Sequence, residues 1–167
     1  MIVMVFQEIL HTLPAGEDAK RPLPRILVID GEPAILFAYQ KLIKSEGFTV
    51  DACEKIEDAL GLISSHNYFA VITDIRFAES EYTDGIRLLH AVRTQQSDAK
   101  IIIVTGYGND GIEHALKELD FSHYFEKPVK PSLIMALLKA AHTVIEEQLD
   151  DFECGYFLPE VSEAELL

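Results

Sequence analysis

Short apolar runs alternate along the chain with longer stretches in which apolar residues recur every three or four positions. The five runs cover residues 25–30, 48–53, 69–74, 100–105 and 123–127. Runs of this length predict strands, and the spacing between them is typical of amphipathic helices. Strands that alternate with helices indicate a parallel sheet joined by right-handed crossovers. We therefore predict an α/β fold, a doubly wound sheet of five parallel strands.

Prolines, a glycine and an asparagine mark the ends of several predicted helices. Pro33 and Pro131 stand in first turns, where the N–H that proline lacks would have no partner within the helix. Gly47 is expected to end the helix that Pro33 begins, because glycine favours the end of a helix. Asn109 can cap a further helix over the residues that follow it.

The ends of the chain differ in composition from its centre. Prolines and a glycine between residues 14 and 24 indicate a linker. The segment before it has apolar residues at helical spacing, which predicts a short amphipathic helix that packs on its own domain or on a second copy: Ile2, Val3, Phe6, Ile9, Leu10 and Leu13. We therefore divide the chain into an extension (residues 1–24), one domain (residues 25–148) and an acidic tail (residues 149–167).

Composition and charge exclude several classes of protein. A length of 167 residues with 49% hydrophobic residues suits one domain with a proper core. The net charge is −14, and the eight acids from Glu146 onward have no Lys or Arg among them. Such a surface repels phosphate backbones, so nucleic-acid binding is not expected. With two cysteines, no basic leader and no apolar run of about 20 residues, the sequence predicts a reduced, cytoplasmic protein outside the membrane.

Four of the predicted strands end at a residue that can take part in chemistry. These residues are Asp30, Asp74, Thr105 and Lys127. Because the carboxyl ends of parallel strands meet at one edge of the sheet, the four side chains should lie close together. A phosphoryl group on Asp74 would need a cation and a lysine to neutralise its oxygens and a hydroxyl to donate a hydrogen bond. The constellation therefore favours phosphoryl chemistry on a carboxylate.

The chain here resembles the receiver domain of two-component response regulators, the CheY-like family. The stretches that carry the resemblance are ILVIDGEP, FAVITDIR, DGIRLL, IIIVTGYG and YFEKPVKP, between residue 25 and about residue 148. The resemblance implies the strand order 2-1-3-4-5. It also implies that Asp74 is the phosphoacceptor, Asp30 the first of a pair of acids, and Thr105 the switch hydroxyl.

Further roles follow from the same resemblance. Lys127 would be the phosphate-binding lysine, joined to Pro128 by a cis peptide bond. Tyr124 falls at the position of the family's rotameric switch aromatic, although a half-buried strand tyrosine explains it equally well. Mg²⁺ is the implied cofactor, held by Asp30, Asp74 and the backbone carbonyl of Arg76.

The sequence departs from the family pattern in two places. Gly31 stands where the family has its second acid, which is normally a direct Mg²⁺ ligand, so binding of Mg²⁺ is in question. Glu32 is next along the chain and could substitute for it. The loop after Asp74 is longer than usual and contains Glu79 and Glu81, which would cover the pocket or be a harmless excursion.

Three functions remain open at this point. The leading expectation is a single-domain response regulator, not an enzyme, that receives a phosphoryl group from a histidine kinase or phosphotransfer protein and signals to an unknown downstream protein. The first alternative is a pseudo-receiver that binds partners without being phosphorylated, which Gly31 supports. The second is a small flavodoxin-like nucleotide-binding enzyme, although no phosphate-binding loop is evident. The aromatic residues of the tail also allow it to dock on its own domain or to form a homodimer contact.

Overall fold

The computed structural model describes residues 24–75, 83–106 and 120–155 of the chain. These ranges contain five strands and four helices. In chain order they are β1 (Arg25–Ile29), α1 (Pro33–Ser45), β2 (Thr49–Cys53), α2 (Ile56–Ser65), β3 (Ala70–Thr73), α3 (Thr83–Gln95), β4 (Lys100–Thr105), β5 (His123–Glu126) and α4 (Pro131–Gly155). The helix expected after Asn109 and the one expected in residues 1–13 lie outside the described residues.

The five strands form one sheet with all neighbours parallel, in the order β2-β1-β3-β4-β5. This confirms the predicted fold class and strand order. The three central strands are buried almost throughout, which is why their sequences are continuously apolar instead of alternating. The edge strands β2 and β5 are only partly buried.

Helices cover both faces of the sheet and create two separate cores. On one face α2 and α3 pack against alternate residues of the strands, including Leu27, Val71 and Ile101. On the other face α1 and α4 pack against the residues between them, such as Ile26 and Ile72. Because side chains alternate between faces along a strand, each central strand contributes to both cores.

The turn after α1 requires a glycine. Gly47 has φ +86°, in the left-handed region that side chains with a Cβ avoid. Its backbone N–H donates to the carbonyl of Lys44, at 3.1 Å, which closes the end of the helix. Gly47 therefore ends α1 as the sequence predicted.

A polar network stabilises the edge of the sheet where the strands begin. Arg25 donates to Asp51 Oδ2 at 2.7 Å, and the hydroxyl of Tyr68 donates to the same oxygen at 2.8 Å. Burial by itself would raise the pKa of Asp51, but these two hydrogen bonds, together with the positive charge of Arg25 and attraction from His66, outweigh it and lower the pKa. The network joins β1, β2 and the segment before β3 on the side of the sheet away from Asp30 and Asp74.

Helix α3 approaches the end of β3 closely at Gly85. A Cβ at this position would lie 2.6 Å from the carbonyl oxygen of Ile75 and 2.8 Å from its Cγ2. Only glycine allows this distance, because the nearest atom belongs to the backbone and cannot turn away. Ile75 follows Asp74 directly, so the contact fixes the helix against the segment that carries this carboxylate.

We expect Gly85→Ala to lower the free energy of unfolding by about 1–3 kcal/mol, since the new methyl group overlaps the backbone at Ile75. Gly61→Ala is the matched control, because Gly61 lies in α2 with no neighbour within 4 Å of a new Cβ. That substitution should raise stability by roughly 0.5–1 kcal/mol. Urea unfolding of both variants is the measurement, and equal changes of the same sign would contradict the close approach.

Candidate functional site

Asp30 and Asp74 follow two neighbouring strands, β1 and β3, at the point where the strand order of the sheet reverses. Strand β1 lies between β2 and β3, so the chain adds its second strand on one side of β1 and its third strand on the other. Ile29 of β1 pairs with Thr73 of β3, and Asp30 and Asp74 are the next residues of their chains. The N–H of Asp74 donates to the carbonyl of Ile29 at 3.0 Å. Open α/β sheets bind their ligands in the crevice that forms at such a point.

Lys127 joins the two carboxylates. Its Nζ lies 2.8 Å from Asp30 Oδ2 and 2.9 Å from Asp74 Oδ2. The side chains of Asp30 and Asp74 are only 7% and 12% exposed, so this ammonium group supplies their nearby positive charge in a largely dry site. Burial would lower the pKa of Lys127, but hydrogen bonds and attraction to both carboxylates outweigh it and raise the pKa. The lysine is therefore held as a cation.

Asp30 also connects the site to the start of α1. Its Oδ1 accepts a hydrogen bond from the backbone N–H of Glu32 at 2.9 Å, while its Oδ2 accepts from Lys127. Both carboxylate oxygens thus have partners within the protein. The carboxylate of Glu32 lies 4.0 Å from Lys127 Nζ, although the Glu32 side chain is 69% exposed. Three acids consequently face one ammonium group at this edge.

Thr105 contributes a buried hydroxyl group that has no partner in the part of the chain that the structure describes. It ends β4, the neighbour of β3, and its Oγ1 is buried with no hydrogen bond among the described residues. Its carbonyl accepts from the N–H of Lys127 at 2.7 Å, which fixes the start of the loop after β5. A buried hydroxyl without a partner costs free energy, and in native structures it commonly marks a site for a ligand or water.

The remaining predicted site residues differ in how far the structure describes them. Tyr124 lies on β5 opposite Ile103, is half-buried and packs against the core beneath α2 and α3. The bond between Lys127 and Pro128 is cis, as the resemblance implied. Arg76 and the acidic loop with Glu79 and Glu81 lie outside the described residues.

Tyr39 belongs, by its helical spacing with Leu36 and Ile43, to the apolar face of α1. Its ring is buried, and burial raises the pKa of its phenol to about 12, with opposing effects from Lys127 and Asp30 nearby. Beside it lies a cavity of about 300 Å³ lined by Ile35, Ala38, Tyr39, Val104, Lys127, Pro128, Val129 and Pro131. No periodicity could separate this tyrosine from its apolar neighbours, because its spacing is that of a core residue.

Two carboxylates at this edge, both in contact with Lys127, are the described side chains that could serve as ligands of a divalent cation. The described residues contain no group of three His, Cys, Asp or Glu side chains arranged around a metal position. Two carboxylates remain, Asp30 and Asp74, and Mg²⁺ is often held by one or two carboxylates together with water. Gly31 is exposed and a Cβ there would have nothing within 4 Å, so the space for a third carboxylate is open.

Comparison with known proteins assigns the chain to a family. Residues 26–139 match the family described as the response regulator receiver domain. The match covers more than half of the chain, so the protein belongs to this family, and it is a receiver domain of two-component signalling. Domains of this family are signalling modules that interact with histidine kinases or phosphotransfer proteins, and they typically bind Mg²⁺ at the phosphorylation site.

Individual relatives support the same assignment. The chain is 24% identical over 128 residues to the acid tolerance regulatory protein ActR of Rhizobium meliloti, and 28% identical over 116 residues to the transcriptional regulatory protein FixJ of Bradyrhizobium diazoefficiens. These matches cover 77% and 70% of this chain. The chain spans only 64% and 55% of the length of these two relatives.

Solved structures share the fold along nearly their whole length. A CheY-like receiver domain from Methanospirillum hungatei has a TM-score of 0.62 and 26% identity, and the match covers 80% of this chain and 98% of that one. The Thermotoga maritima response regulator TrrA, solved with Mg²⁺ and beryllofluoride, has a TM-score of 0.60 and 29% identity, covering 71% and 99%. Within the described ranges, no helix has the length and hydropathy needed to cross a bilayer.

We expect Lys127→Met to lower the free energy of unfolding by about 2 kcal/mol near neutral pH, because it leaves two poorly solvated carboxylates without their cation. Since the pKa of Lys127 is raised above 10.5, its contribution is complete below that pH and is lost as the pH rises through the folded-state value. The difference from wild type should therefore shrink only in strong alkali. Lys130→Met, at an exposed position of the same loop, is the control for urea unfolding across pH.

Proposed function

We propose that Asp74 accepts a phosphoryl group and that the protein signals through protein contacts. The observation that carries this proposal is the junction of Lys127 with Asp74 and Asp30. Thr105, whose carbonyl accepts from the N–H of Lys127, adds a buried hydroxyl that has no partner among the described residues. A phosphoryl group on Asp74 would give this hydroxyl an acceptor and would give the ammonium group a new anionic partner. Family membership and a relative solved with Mg²⁺ and beryllofluoride support the same function.

The proposed transfer is a displacement at phosphorus. A carboxylate oxygen of Asp74 forms the new P–O bond while the P–N bond of a donor phosphohistidine breaks, and its electron pair stays on the imidazole. Lys127 neutralises negative charge on the phosphoryl oxygens, which is the main task of a protein in this chemistry. Mg²⁺, held by Asp30 and Asp74 with the carbonyl of Arg76, would supply further charge neutralisation.

The proposed output depends on the fifth strand. Thr105 would move toward the phosphoryl oxygens, and Tyr124 on the neighbouring strand would change its packing in response. Two packing states of this face, with different affinities for a downstream protein, would convert the modification into a signal. This is a proposal for residues 25–148 as one signalling domain, since the regulatory relatives contain more chain than matches here.

A pseudo-receiver remains the second candidate, because one specific observation favours it. Gly31 brings no carboxylate, and Lys127 already holds both remaining acids together as an internal cation. Such a site could stay folded without phosphate or metal. The domain would then bind its partners in one state only.

Phosphorylation is the direct test of the proposal. With acetyl phosphate and millimolar Mg²⁺, wild-type protein should gain the mass of one phosphoryl group, and Asp74→Asn should gain none. Asp98→Asn, at an exposed acid far along the chain from the site, is the matched control and should react as wild type. If neither phosphodonor nor beryllofluoride changes mass or the amide shifts around Asp74, the pseudo-receiver function replaces this one.

Gly31→Asp should strengthen Mg²⁺ binding by at least ~10-fold, because it adds a carboxylate that can bind the metal directly. Loss of a residue that only supports a metal ligand already costs ~10–100-fold in affinity. The open space beside Gly31 and its ordinary backbone conformation allow the substitution without strain. Gly61→Asp adds the same charge on α2 and should leave the affinity unchanged. Calorimetric titration with Mg²⁺ measures both, and equal affinities would exclude residue 31 as the weak point.

A further inference from the structure

A cavity of about 300 Å³ lies between helix α1 and the residues that follow β5. Ile35 and Ala38 of α1 form one wall, Pro128 and Pro131 form another, and Val104 of β4 contributes a third. Pockets that bind small molecules in proteins begin at about this volume. At the packing density of a protein interior, roughly ten non-hydrogen atoms would fill it. The size of the cavity therefore suits one small molecule.

The walls of this cavity are mostly apolar and are held by regular structure. Val104 belongs to β4, which pairs with a strand on each side, and its side chain is buried. Pro131 is the first residue of α4. The two prolines have a fixed φ and no N–H to donate. Such walls need little ordering when a ligand enters, so little binding free energy is lost on them.

Tyr39 brings a hydrogen-bond donor to the cavity. Its ring is buried, yet its hydroxyl makes no hydrogen bond within the ranges that the structure describes. Burial raises the pKa of this phenol to about 12, so the hydroxyl keeps its proton at neutral pH. The phenol is therefore a neutral donor at the margin of an apolar space.

Lys127 brings a second donor. An ammonium group has three N–H bonds, and two of these reach Asp30 and Asp74 at 2.8 and 2.9 Å. The third has no hydrogen-bond partner among the described residues, since the Glu32 carboxylate is 4.0 Å away. The charge of Lys127 also lowers the phenol pKa that burial raises, so the ammonium group and the Tyr39 hydroxyl lie near each other. One acceptor oxygen can thus receive hydrogen bonds from both.

The charges around the cavity decide which kind of acceptor fits. Asp30, Asp74 and Glu32 already face the single ammonium group of Lys127. In the absence of a divalent cation, an anionic ligand would bring further negative charge next to three acids, and repulsion would weaken its binding. A cationic ligand would lie next to an ammonium group. A neutral molecule with one carbonyl oxygen avoids both costs.

We propose that this cavity binds a small, neutral, apolar molecule whose single carbonyl oxygen accepts hydrogen bonds from Tyr39 and Lys127. The apolar part of the ligand would fill the space between Ala38 and the two prolines. Binding makes and breaks no covalent bond, so the site exists equally in a receiver and in a pseudo-receiver.

Titration of the ¹⁵N-labelled full chain, without phosphodonor or Mg²⁺, tests the site with three probes of similar size. Acetophenone has a neutral carbonyl, benzoate has an anionic carboxylate, and ethylbenzene has no acceptor of this kind. Acetophenone should shift the amide signals of Ala38, Tyr39 and Val129 to saturation. The other two probes should bind about 5-fold more weakly, since one hydrogen bond contributes roughly two- to ten-fold in affinity.

Three variants separate the donor from the apolar walls. Tyr39→Phe keeps the ring and should weaken acetophenone binding by about 5-fold, while it leaves ethylbenzene binding unchanged. Ala38→Leu fills the cavity and should abolish binding of both probes. Ala140→Leu makes the same change at an exposed position of α4 away from the cavity, and it should bind as wild type. Unchanged amide shifts in the sheet confirm that each variant folds.

Several results would overturn the proposal. These are the absence of saturable shifts with acetophenone, equal affinities of the wild type for acetophenone and ethylbenzene, and tighter binding of benzoate than of acetophenone. Unchanged acetophenone binding by Ala38→Leu would place the ligand elsewhere and would overturn it as well. Because no phosphodonor is present, none of these results bears on phosphorylation of Asp74.

Discussion

One ammonium group between two carboxylates organises the functional edge of this domain. Lys127 follows β5, whereas Asp30 and Asp74 follow β1 and β3, so the contact crosses most of the sheet. The three groups meet because parallel strands carry their ends to a common edge. Coulomb attraction is strong here since the carboxylates have little contact with water. Removal of the ammonium charge would leave two poorly solvated carboxylates side by side without a cation.

The close contact of Gly85 with Ile75 helps to position Asp74, because Ile75 is the next residue of the chain. The carboxylate is positioned from its N-terminal side by the hydrogen bond to Ile29 and from its C-terminal side by the packing of α3 against Ile75. The segment can therefore present the carboxylate in a defined orientation although it belongs to a strand end.

Much of this arrangement could be predicted from the sequence. The apolar runs predicted all five strands, and the residues that end four of them predicted the meeting of Asp30, Asp74 and Lys127. The contact of Gly85 with Ile75 could not be predicted, because it depends on how closely a helix approaches a loop. The proximity of Tyr39 to charged groups could not be predicted for another reason. Helical spacing shows that a residue faces the core, but it does not show that the phenol lies near Lys127 and Asp30.

Asp30 takes part in the candidate site and in the local fold at the same time. One of its carboxylate oxygens accepts from the lysine of the site, and the other accepts from the N–H of Glu32 at the entry to α1. A cation that draws the Asp30 carboxylate toward itself must therefore compete with the hydrogen bond from Glu32 at the start of α1. This helix also lines the cavity beside Tyr39. Through its two oxygens Asp30 therefore couples the lysine of the site to the backbone at which α1 begins.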